Sequence, residues 1–442
     1  MTETTDILER IGRYNRFGSI LGLERMENLL KKLGDPHKEL SVIHVAGTNG
    51  KGSVCRFIQS ALSACGYRTG LYTSPFLERF NERISMDGED ITDGDLEVCG
   101  SRVLAAAEEM EEEGCQPPTE FEVVTAAAFL YFREKKADIA VLEVGLGGRG
   151  DSTNVVEKPL ASVITSISYD HTDRLGNTLR EIAGEKAGII KPGCPVVSAA
   201  EDHEAARAIA KKAYEMGSRL YDVSRIPFSI REDSIFSQKV TMELFEKDYS
   251  DVEISMAGRH QAGNLRTALA TLEILRRTGK IKVDREKLYR GLKEARQPGR
   301  FEMISDGNDG RPAILIDGAH NEAAAEALKE TVLRYFSGKR ILLVAGVLAE
   351  KQADRMLDHM TEITKDIIAT EPDSPRRLEA GKLADLLRLK GIEPVASAKE
   401  KECLRIAESL WKDYDLVVFS GSLYLIGNVR RRLRNEHGEK SQ

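Results

Sequence analysis

From residue 41 onward, short apolar runs alternate with longer stretches in which apolar positions recur at helical spacing. The run Ile139-Ala-Val-Leu-Glu-Val is almost continuously apolar, which is typical of a strand covered on both faces. Strands that alternate regularly with helices predict a mostly parallel sheet between helical layers. The strands predicted in this half are 42–46, 69–73, 138–144, 161–167 and 195–198.

The pattern changes twice further along the chain. Residues 226–256 alternate apolar and polar positions, which predicts an antiparallel hairpin insert, and a helix is predicted at 261–277. A proline and a glycine at 298–299 then interrupt the pattern before a second strand–helix series. The strands predicted there are 313–317, 340–347, 366–370 and 415–420. The sequence therefore predicts an α/β protein of two domains, 1–297 and 298–442.

Composition and charge narrow the function classes. With 442 residues, 41% hydrophobic and 31% charged, the chain is expected to form two or three globular domains. The net charge of −7 argues against nucleic-acid binding, and it requires local positive charge to hold an acidic substrate. No apolar run approaches the roughly 18 residues of a membrane span, and the N-terminus lacks a signal-peptide pattern, so a cytoplasmic protein with no membrane partner is expected. The six cysteines lack metal-binding spacing and are expected to be reduced.

The most specific local pattern is the apolar run 42–46 followed at once by Gly-Thr-Asn-Gly-Lys-Gly-Ser. Glycines let successive backbone N–H groups point at an anion, and the helix that follows adds its partial positive charge. Lys51 adds a full charge, and Ser53 can reach a magnesium ion. Because the common pattern places Ser or Thr directly after Gly-Lys, the extra Gly52 leaves a glycine-rich turn with a chance lysine as the alternative. The residues predicted to hold the triphosphate of ATP or GTP are Gly47, Thr48, Asn49, Gly50, Lys51, Gly52 and Ser53.

Three further predicted strands end in groups suited to a magnesium–phosphate site. Ligands of open parallel sheets lie at the carboxyl ends of the strands, where Ser74, Glu143 and His171 follow. Magnesium prefers hard oxygen ligands, which favours Ser74 and Glu143. At the third strand, the chemistry alone favours Asp170 over His171. A paired or helix-capping carboxylate at Glu143 and a hydrogen-bonded loop histidine at His171 are the alternatives.

Two more turns carry candidate chemistry. Lys186 lies near a helix end that leads into a buried strand. A lysine in a partly apolar setting can have a lowered pKa and react with carbon dioxide, although a surface lysine is the simpler interpretation. In the second half, Asp317, His320 and Asn321 lie at the tip of another strand-to-helix turn, for which a helix N-cap with a chance histidine is the alternative.

Seven ordered motifs resemble the folylpolyglutamate synthase/dihydrofolate synthase family of the Mur ligase superfamily, over about residues 6–435. They are Gly-Thr-Asn-Gly-Lys-Gly-Ser, Tyr-Thr-Ser-Pro-Phe-Leu-Glu-Arg-Phe-Asn-Glu-Arg-Ile, Glu-Val-Gly-Leu-Gly-Gly-Arg, Asp-His-Thr, Glu-Lys-Ala-Gly-Ile-Ile-Lys, Ile-Asp-Gly-Ala-His-Asn and Ser-Gly-Ser-Leu-Tyr-Leu. The resemblance implies an N-terminal P-loop ATPase domain, a smaller C-terminal Rossmann-like domain and an active site between them. It implies ATP-dependent addition of L-glutamate to a folate or to dihydropteroate through an acyl phosphate, by an enzyme that is usually monomeric.

The resemblance also assigns residue roles by matching motif. Besides the phosphate loop, the implied nucleotide contacts are Asn264, Arg300, Asp317 and His320. The implied ligands of two magnesium ions are Ser74, Glu143, His171 and, as a carbamate, Lys186; the implied catalytic set is Lys51, Glu143, His171 and Lys186. The implied pterin contacts are Thr119, Phe121 and Asp151, and the implied glutamate contacts are Arg83, His320 and Ser422.

One departure from the family pattern concerns the substrate. Members that make dihydrofolate often read Arg-Leu-Asp-Ala-Thr-Asn, whereas this chain reads Arg-Gly-Asp-Ser-Thr-Asn at 149–154. A bifunctional enzyme is expected, with polyglutamylation alone as the alternative. A peptidoglycan Mur ligase is disfavoured because only about 40 residues precede the phosphate loop, too few for the extra domain of such enzymes. A nucleotide-gated binding protein without ligase chemistry is the alternative from another class.

Overall fold

The computed structural model describes residues 3–17, 20–307 and 311–436 and has the predicted α/β architecture. The first domain is built on an eight-stranded sheet with the order β4-β3-β2-β5-β1-β6-β7-β8. Its strands are β1 (Val42–Ala46), β2 (Thr69–Tyr72), β3 (Ile84–Met86), β4 (Glu89–Asp90), β5 (Ile139–Glu143), β6 (Ala161–Ile164), β7 (Val196–Ser198) and β8 (Leu220–Asp222). The pairs β2–β3 and β3–β4 are antiparallel and the other pairs are parallel.

Helices cover both faces of this sheet, as the apolar run in β5 predicted. The helices of this domain are α1 (Glu3–Gly12), α2 (Glu24–Lys32), α3 (Lys51–Ala64), α4 (Asp93–Glu112), α5 (Glu120–Glu134), α6 (Thr172–Leu175), α7 (Leu179–Lys186), α8 (His203–Glu215), α9 (Arg259–Arg277) and α10 (Arg285–Glu294). Val141 packs into the layer that holds α3, α9 and α10, whereas Ala140 and Leu142 pack into the layer that holds α1, α2, α4 and α5.

The insert is a three-stranded antiparallel sheet rather than a two-stranded hairpin. Its strands are β9 (Phe228–Arg231), β10 (Gln238–Leu244) and β11 (Lys247–Ile254). The predicted strand 161–167 was too long, because Thr165 and Ser166 leave the sheet and their hydroxyls donate to the backbone oxygen of Asn49 at 2.7 and 3.2 Å. These two hydrogen bonds tie the end of β6 to the phosphate loop.

The second domain has a six-stranded sheet with the order β12-β13-β17-β14-β15-β16, antiparallel only at the β12–β13 pair. Its strands are β12 (Glu302–Asp306), β13 (Ala313–Asp317), β14 (Ile341–Gly346), β15 (Ile367–Glu371), β16 (Ala396–Lys399) and β17 (Leu416–Ser420). Its helices are α11 (Glu322–Phe336), α12 (Ala353–Ile363), α13 (Ala380–Leu389), α14 (Glu400–Leu410) and α15 (Leu423–Glu436). In the described ranges no helix has the length and apolarity needed to cross a membrane, and all six cysteines are free.

Candidate active site

The loop after β1 is a tight turn that requires two glycines. Gly47 and Gly50 have φ values of 151° and 83°, a region that residues with side chains rarely adopt. A Cβ atom on Gly47 would lie 1.7 Å from Thr165 Oγ1, and one on Gly50 would lie 2.3 Å from Asn264 Oδ1. Because α3 begins at Lys51, the N-terminal end of that helix faces the loop with its partial positive charge.

Glu143 lies at the end of β5 beside this loop. Its Oε1 atom is 3.9 Å from Lys51 Nζ, and a Cβ atom on Gly52 would lie 3.5 Å from its Oε2 atom. Burial raises the pKa of Glu143, and the charges of Lys51 and Arg300 and a hydrogen bond from the Ser74 backbone oppose the rise. A carboxylate in this position can share a cation with a bound phosphate.

Lys186 approaches the phosphate loop from the other side. It is the last residue of α7, it is buried, and its Nζ atom donates to the Gly47 backbone oxygen at 2.8 Å. Burial, together with the charge of Lys51, lowers the pKa of Lys186 to about 7. Burial also lowers the pKa of the nearby His171 to about 4. At neutral pH the imidazole therefore has a free lone pair, and the Lys186 amine is neutral in part of the molecules.

The predicted residues of the second domain lie opposite the phosphate loop. Arg300 Nη1 donates to the Gly318 backbone oxygen at 3.0 Å, and His320 Nδ1 lies 2.8 Å from the same oxygen. The Asp317 carboxylate accepts two backbone N–H bonds of 2.8 Å each, and burial raises its pKa. Asp317 therefore fixes the turn that carries Arg300 and His320.

Direct contacts join the two domains at this cleft. Asp170 Oδ1 is 2.5 Å from Lys351 Nζ, and Asp170 Oδ2 accepts from Asn321 Nδ2 at 3.1 Å. Asn49 in the phosphate loop and Asn321 exchange two amide hydrogen bonds of 3.0 and 3.1 Å. Lys351 and the pairings of Asp170 and Asn49 with the second domain were not predicted from the sequence. Asp170, which the chemistry alone favoured as a metal ligand, forms an ion pair.

The site residues assigned by matching motif all line one cavity of about 1920 Å³ between the domains. They are Gly47, Thr48, Asn49, Gly50, Lys51, Gly52, Ser53, Ser74, Arg83, Thr119, Phe121, Glu143, Asp151, His171, Lys186, Asn264, Arg300, Asp317, His320 and Ser422. Within the part of the chain that the structure describes, no group of three or more His, Cys, Asp or Glu side chains could hold a metal ion. Each of these residues therefore lies at the cavity, but the role of each one stays a prediction.

Known proteins place this architecture in one family. The Mur ligase middle domain matches residues 45–272, and the Mur ligase glutamate ligase domain matches residues 299–423. The chain is 38% identical to the dihydrofolate synthase/folylpolyglutamate synthase of Bacillus subtilis, over 95% of this chain and 96% of the relative. It belongs to the folylpolyglutamate synthase/dihydrofolate synthase family.

Two more members of this family are close in sequence or in structure. The folylpolyglutamate synthase of Lacticaseibacillus casei is 36% identical over 98% of each chain. The Mycobacterium tuberculosis folylpolyglutamate synthase complexed with ADP superposes with a TM-score of 0.90 at 28% identity, over 100% of both chains. Both family membership and the two-domain fold expected from the resemblance are confirmed.

In this family member, Asp151 lines the cavity and its carboxylate holds its own loop. Its carboxylate accepts N–H bonds from Gly145, Leu146 and Thr153 at 2.9 to 3.0 Å. Burial raises the pKa of Asp151, and the hydrogen bonds oppose that rise. The residue therefore shapes the cavity wall through the backbone of the loop.

The other predicted substrate residues differ in the kind of group that they place at the cavity: a hydroxyl, an aromatic ring or a cation. Thr119 caps α5, with Oγ1 accepting an N–H bond of 3.3 Å, and the Phe121 ring lies 6.0 Å from the ring of Tyr72. The Arg83 guanidinium stacks on two aromatic rings, with centroid distances of 4.9 and 5.3 Å. Ser422 is buried at the start of α15. Arg83 Nη2 also lies 3.6 Å from the carboxylate of Glu120, the residue after Thr119, so an aromatic surface and a cation lie near Thr119.

Proposed function

We propose that the chain is an ATP-dependent ligase that adds L-glutamate to folates and to dihydropteroate, forming ADP and phosphate. The observation that carries this proposal is the phosphate loop with Lys51 and Glu143, facing Arg300 and His320 across one cavity in a member of this family. Both curated relatives carry the folylpolyglutamate synthase name, and the one from Bacillus subtilis also carries the dihydrofolate synthase name.

The proposed reaction overcomes the poor reactivity of a carboxylate. A carboxylate oxygen of the substrate attacks the γ-phosphorus of ATP, a new C–O–P link forms, and the bond to the β-phosphate breaks to release ADP. The neutral amine of glutamate then attacks the acyl carbon and loses a proton, and phosphate leaves with the C–O bonding pair. Because three anions meet in this site, catalysis consists largely of positioning them and neutralising their charge.

The phosphate loop would bind the triphosphate, as in other loops of this kind. Asn264, Arg300, Asp317 and His320 would surround the remainder of the nucleotide. Asp317 would act indirectly, because both of its oxygens hold backbone N–H groups.

Two magnesium ions are part of the proposal. Magnesium at nucleotide sites takes one or two carboxylates together with phosphate and water oxygens. Glu143 supplies a buried carboxylate, Ser74 a hydroxyl and His171 a neutral imidazole at the same cavity, so these residues fit the ion. When bound, the ions neutralise phosphate charge and make the γ-phosphorus more electrophilic.

Lys186 is proposed to be carbamylated and to serve as an anionic ligand of the second ion. The support is its burial, its 2.8 Å hydrogen bond to the phosphate loop and its lowered pKa, since only a neutral amine adds carbon dioxide. The carbamate should therefore increase as the pH rises through about 7. Nuclear magnetic resonance with isotopically labelled bicarbonate should show a carbamate signal that Lys186→Ala lacks. An identical spectrum for both proteins would contradict the modification.

The two ends of the substrate are assigned to different residues of the cavity. Thr119 and Phe121 would contact the pterin, with Asp151 shaping that wall through its loop. Arg83, His320 and Ser422 would contact the glutamate end. Arg83, which also pairs with Glu120 at 3.6 Å, would contribute to the local positive charge that a protein of net charge −7 needs to hold an acidic substrate.

Glutamate-dependent phosphate release from ATP tests the proposal, with dihydropteroate and a reduced folate monoglutamate compared and the products weighed. Turnover with both substrates is expected. Turnover with the folate alone would restrict the enzyme to polyglutamylation. ATP hydrolysis without an amide product would contradict the ligase and favour a nucleotide-gated binding protein.

Three further properties belong to the same proposal. The enzyme is proposed to be cytoplasmic. It is also proposed to be a monomer, which sedimentation of the purified chain would test. The division between the domains is proposed at residues 297 and 298, between the last helix of the first domain and β12.

A further inference from the structure

Residues 76–83, here called the arginine loop, belong to the first domain but pack against the second. The Leu77 side chain packs on the apolar cluster that lies between the second sheet and α15. A Cβ atom on Gly299 would lie 3.1 Å from Leu77 Cδ2 and 3.0 Å from Ile426 Cδ1. Leu77 therefore lies where the junction between the domains meets α15.

Charged contacts join the arginine loop to α15 at the same place. The Arg430 side chain is only 10% exposed, and it contacts Glu78 Oε1 through Nη1 and both oxygens of Glu302 through Nε, at 2.9 and 3.0 Å. Arg431 Nη2 donates to the Glu78 backbone oxygen at 2.6 Å. Arg430 thus links a carboxylate of the first domain to the first strand of the second domain.

The arginine loop is bonded internally, so its two ends are connected. The Glu82 carboxylate accepts three backbone N–H bonds of 2.7 to 3.1 Å, from residues 77–79. Arg83 follows directly, and its guanidinium stacks on the rings of Phe76 and Phe80 in the same loop. Because both ends of the loop are held by these contacts, a displacement at its start is passed on to Arg83.

We propose that Arg430 is a positioning residue, through which the second domain fixes the Arg83 guanidinium at the cavity. The inference rests on the proposed function, in which Arg83 contacts glutamate, and deepens it. Leu77 and Glu78 are the points at which α15 holds the arginine loop. The glutamate site is therefore complete only while the second domain lies against this loop.

Gly427→Ala tests the inference with a change that α15 itself tolerates, because Gly427 has no positive φ and alanine favours a helix more than glycine does. A Cβ atom there would lie 2.1 Å from the Leu77 backbone oxygen, whereas ordinary contact begins at 3.4 Å, so the arginine loop must shift by on the order of 1 Å. We expect kcat/KM for L-glutamate to fall by about 100-fold, the effect of such a misplacement. Gly381→Ala in α13 is the matched control, because a Cβ atom there has no atom within 4 Å.

The same substitution in an Arg83→Lys background separates the positioning of Arg83 from a general effect on the domains. Lysine keeps the charge, but it lacks the planar guanidinium, and its flexible chain can follow a displaced loop. Because substitutions that act through one another are not additive, Gly427→Ala should lower kcat/KM for L-glutamate by less than about threefold in this background. An equal loss in both backgrounds would overturn the inference.

Glu78→Gln gives a second measurement that adds no atom to the contact. It removes the charge that Arg430 contacts and keeps the size of the side chain. We expect kcat/KM for L-glutamate to fall by about tenfold, the scale of one hydrogen bond to a charged group. Unchanged kcat/KM in Glu78→Gln or in Gly427→Ala would overturn the inference and leave the proposed function intact. A wild-type enzyme that forms no amide with glutamate would instead contradict the proposed function.

Discussion

Replacing Glu143 with glutamine is expected to lower kcat for glutamate-dependent phosphate release by about 1000-fold, the scale of losing a preorganised charge at a reacting phosphate. Glutamine keeps the size of the side chain and can accept the hydrogen bond from the Ser74 backbone, but it removes the negative charge. Because burial already raises the pKa of Glu143, a neutral amide should not destabilise the fold. The measurement is kcat together with the melting temperature.

The control for this variant is Glu185→Gln. Glu185 precedes Lys186 in the sequence, but its carboxylate pairs with Arg149 at 3.1 Å. The Glu185→Gln enzyme should therefore retain nearly full activity. A Glu143→Gln enzyme with wild-type kcat, or a wild-type enzyme with the same rate after removal of magnesium, would contradict the role assigned to Glu143.

Replacing Asp170 with asparagine is expected to separate the two domains. Asp170 and Lys351 are both less than a tenth exposed and form the 2.5 Å ion pair across the cleft. Removing one partner leaves the other charge buried, which costs about 3 kcal/mol and corresponds to a loss in kcat/KM of about 100-fold. X-ray scattering should show a larger radius of gyration for the variant, since the closed arrangement loses this contact.

Asp173→Asn is the matched control, because that carboxylate follows closely in the chain, in α6, and is 67% exposed. A scattering profile and a kcat/KM of Asp170→Asn that both match the wild type would show that Asp170 does not hold the domains together.

Acid should have a similar effect to Asp170→Asn. Burial would raise the pKa of Asp170, but Lys351 and two imidazoles lower it well below its usual value of 3.8. Its contribution to stability is complete above that value and is lost as the pH falls below it.

Local patterns predicted the parts of the site that lie within a few residues of one another. The strand, glycine-rich loop and helix at 42–53 were predicted from neighbouring residues alone. The polar residues at the ends of β5 and β13 were predicted in the same way. Strands β3, β4, β8 and β16 were missed because they have two to four residues each, too few to show a period. The antiparallel edge strand β12 follows the domain junction directly and was also missed.

Contacts between distant residues could not be predicted from the sequence. Asp170 and Lys351 are 181 residues apart, and Asn49 and Asn321 are 272 residues apart. Nothing in either local sequence specifies its partner. Asp151 shows a related limit: the resemblance implied a pterin contact, and the N–H groups of Gly145 and Thr153 that its two oxygens accept are seen only in the folded loop.

The fate of a substrate oxygen tests the account most directly. The substrate carboxylate is labelled with a heavy oxygen isotope, and the phosphate released with the amide is weighed. Formation of an acyl phosphate transfers one substrate oxygen to each phosphate, so labelled phosphate and amide should appear in equal amounts. Unlabelled phosphate, or phosphate released without glutamate and without amide, would contradict the proposed ligation.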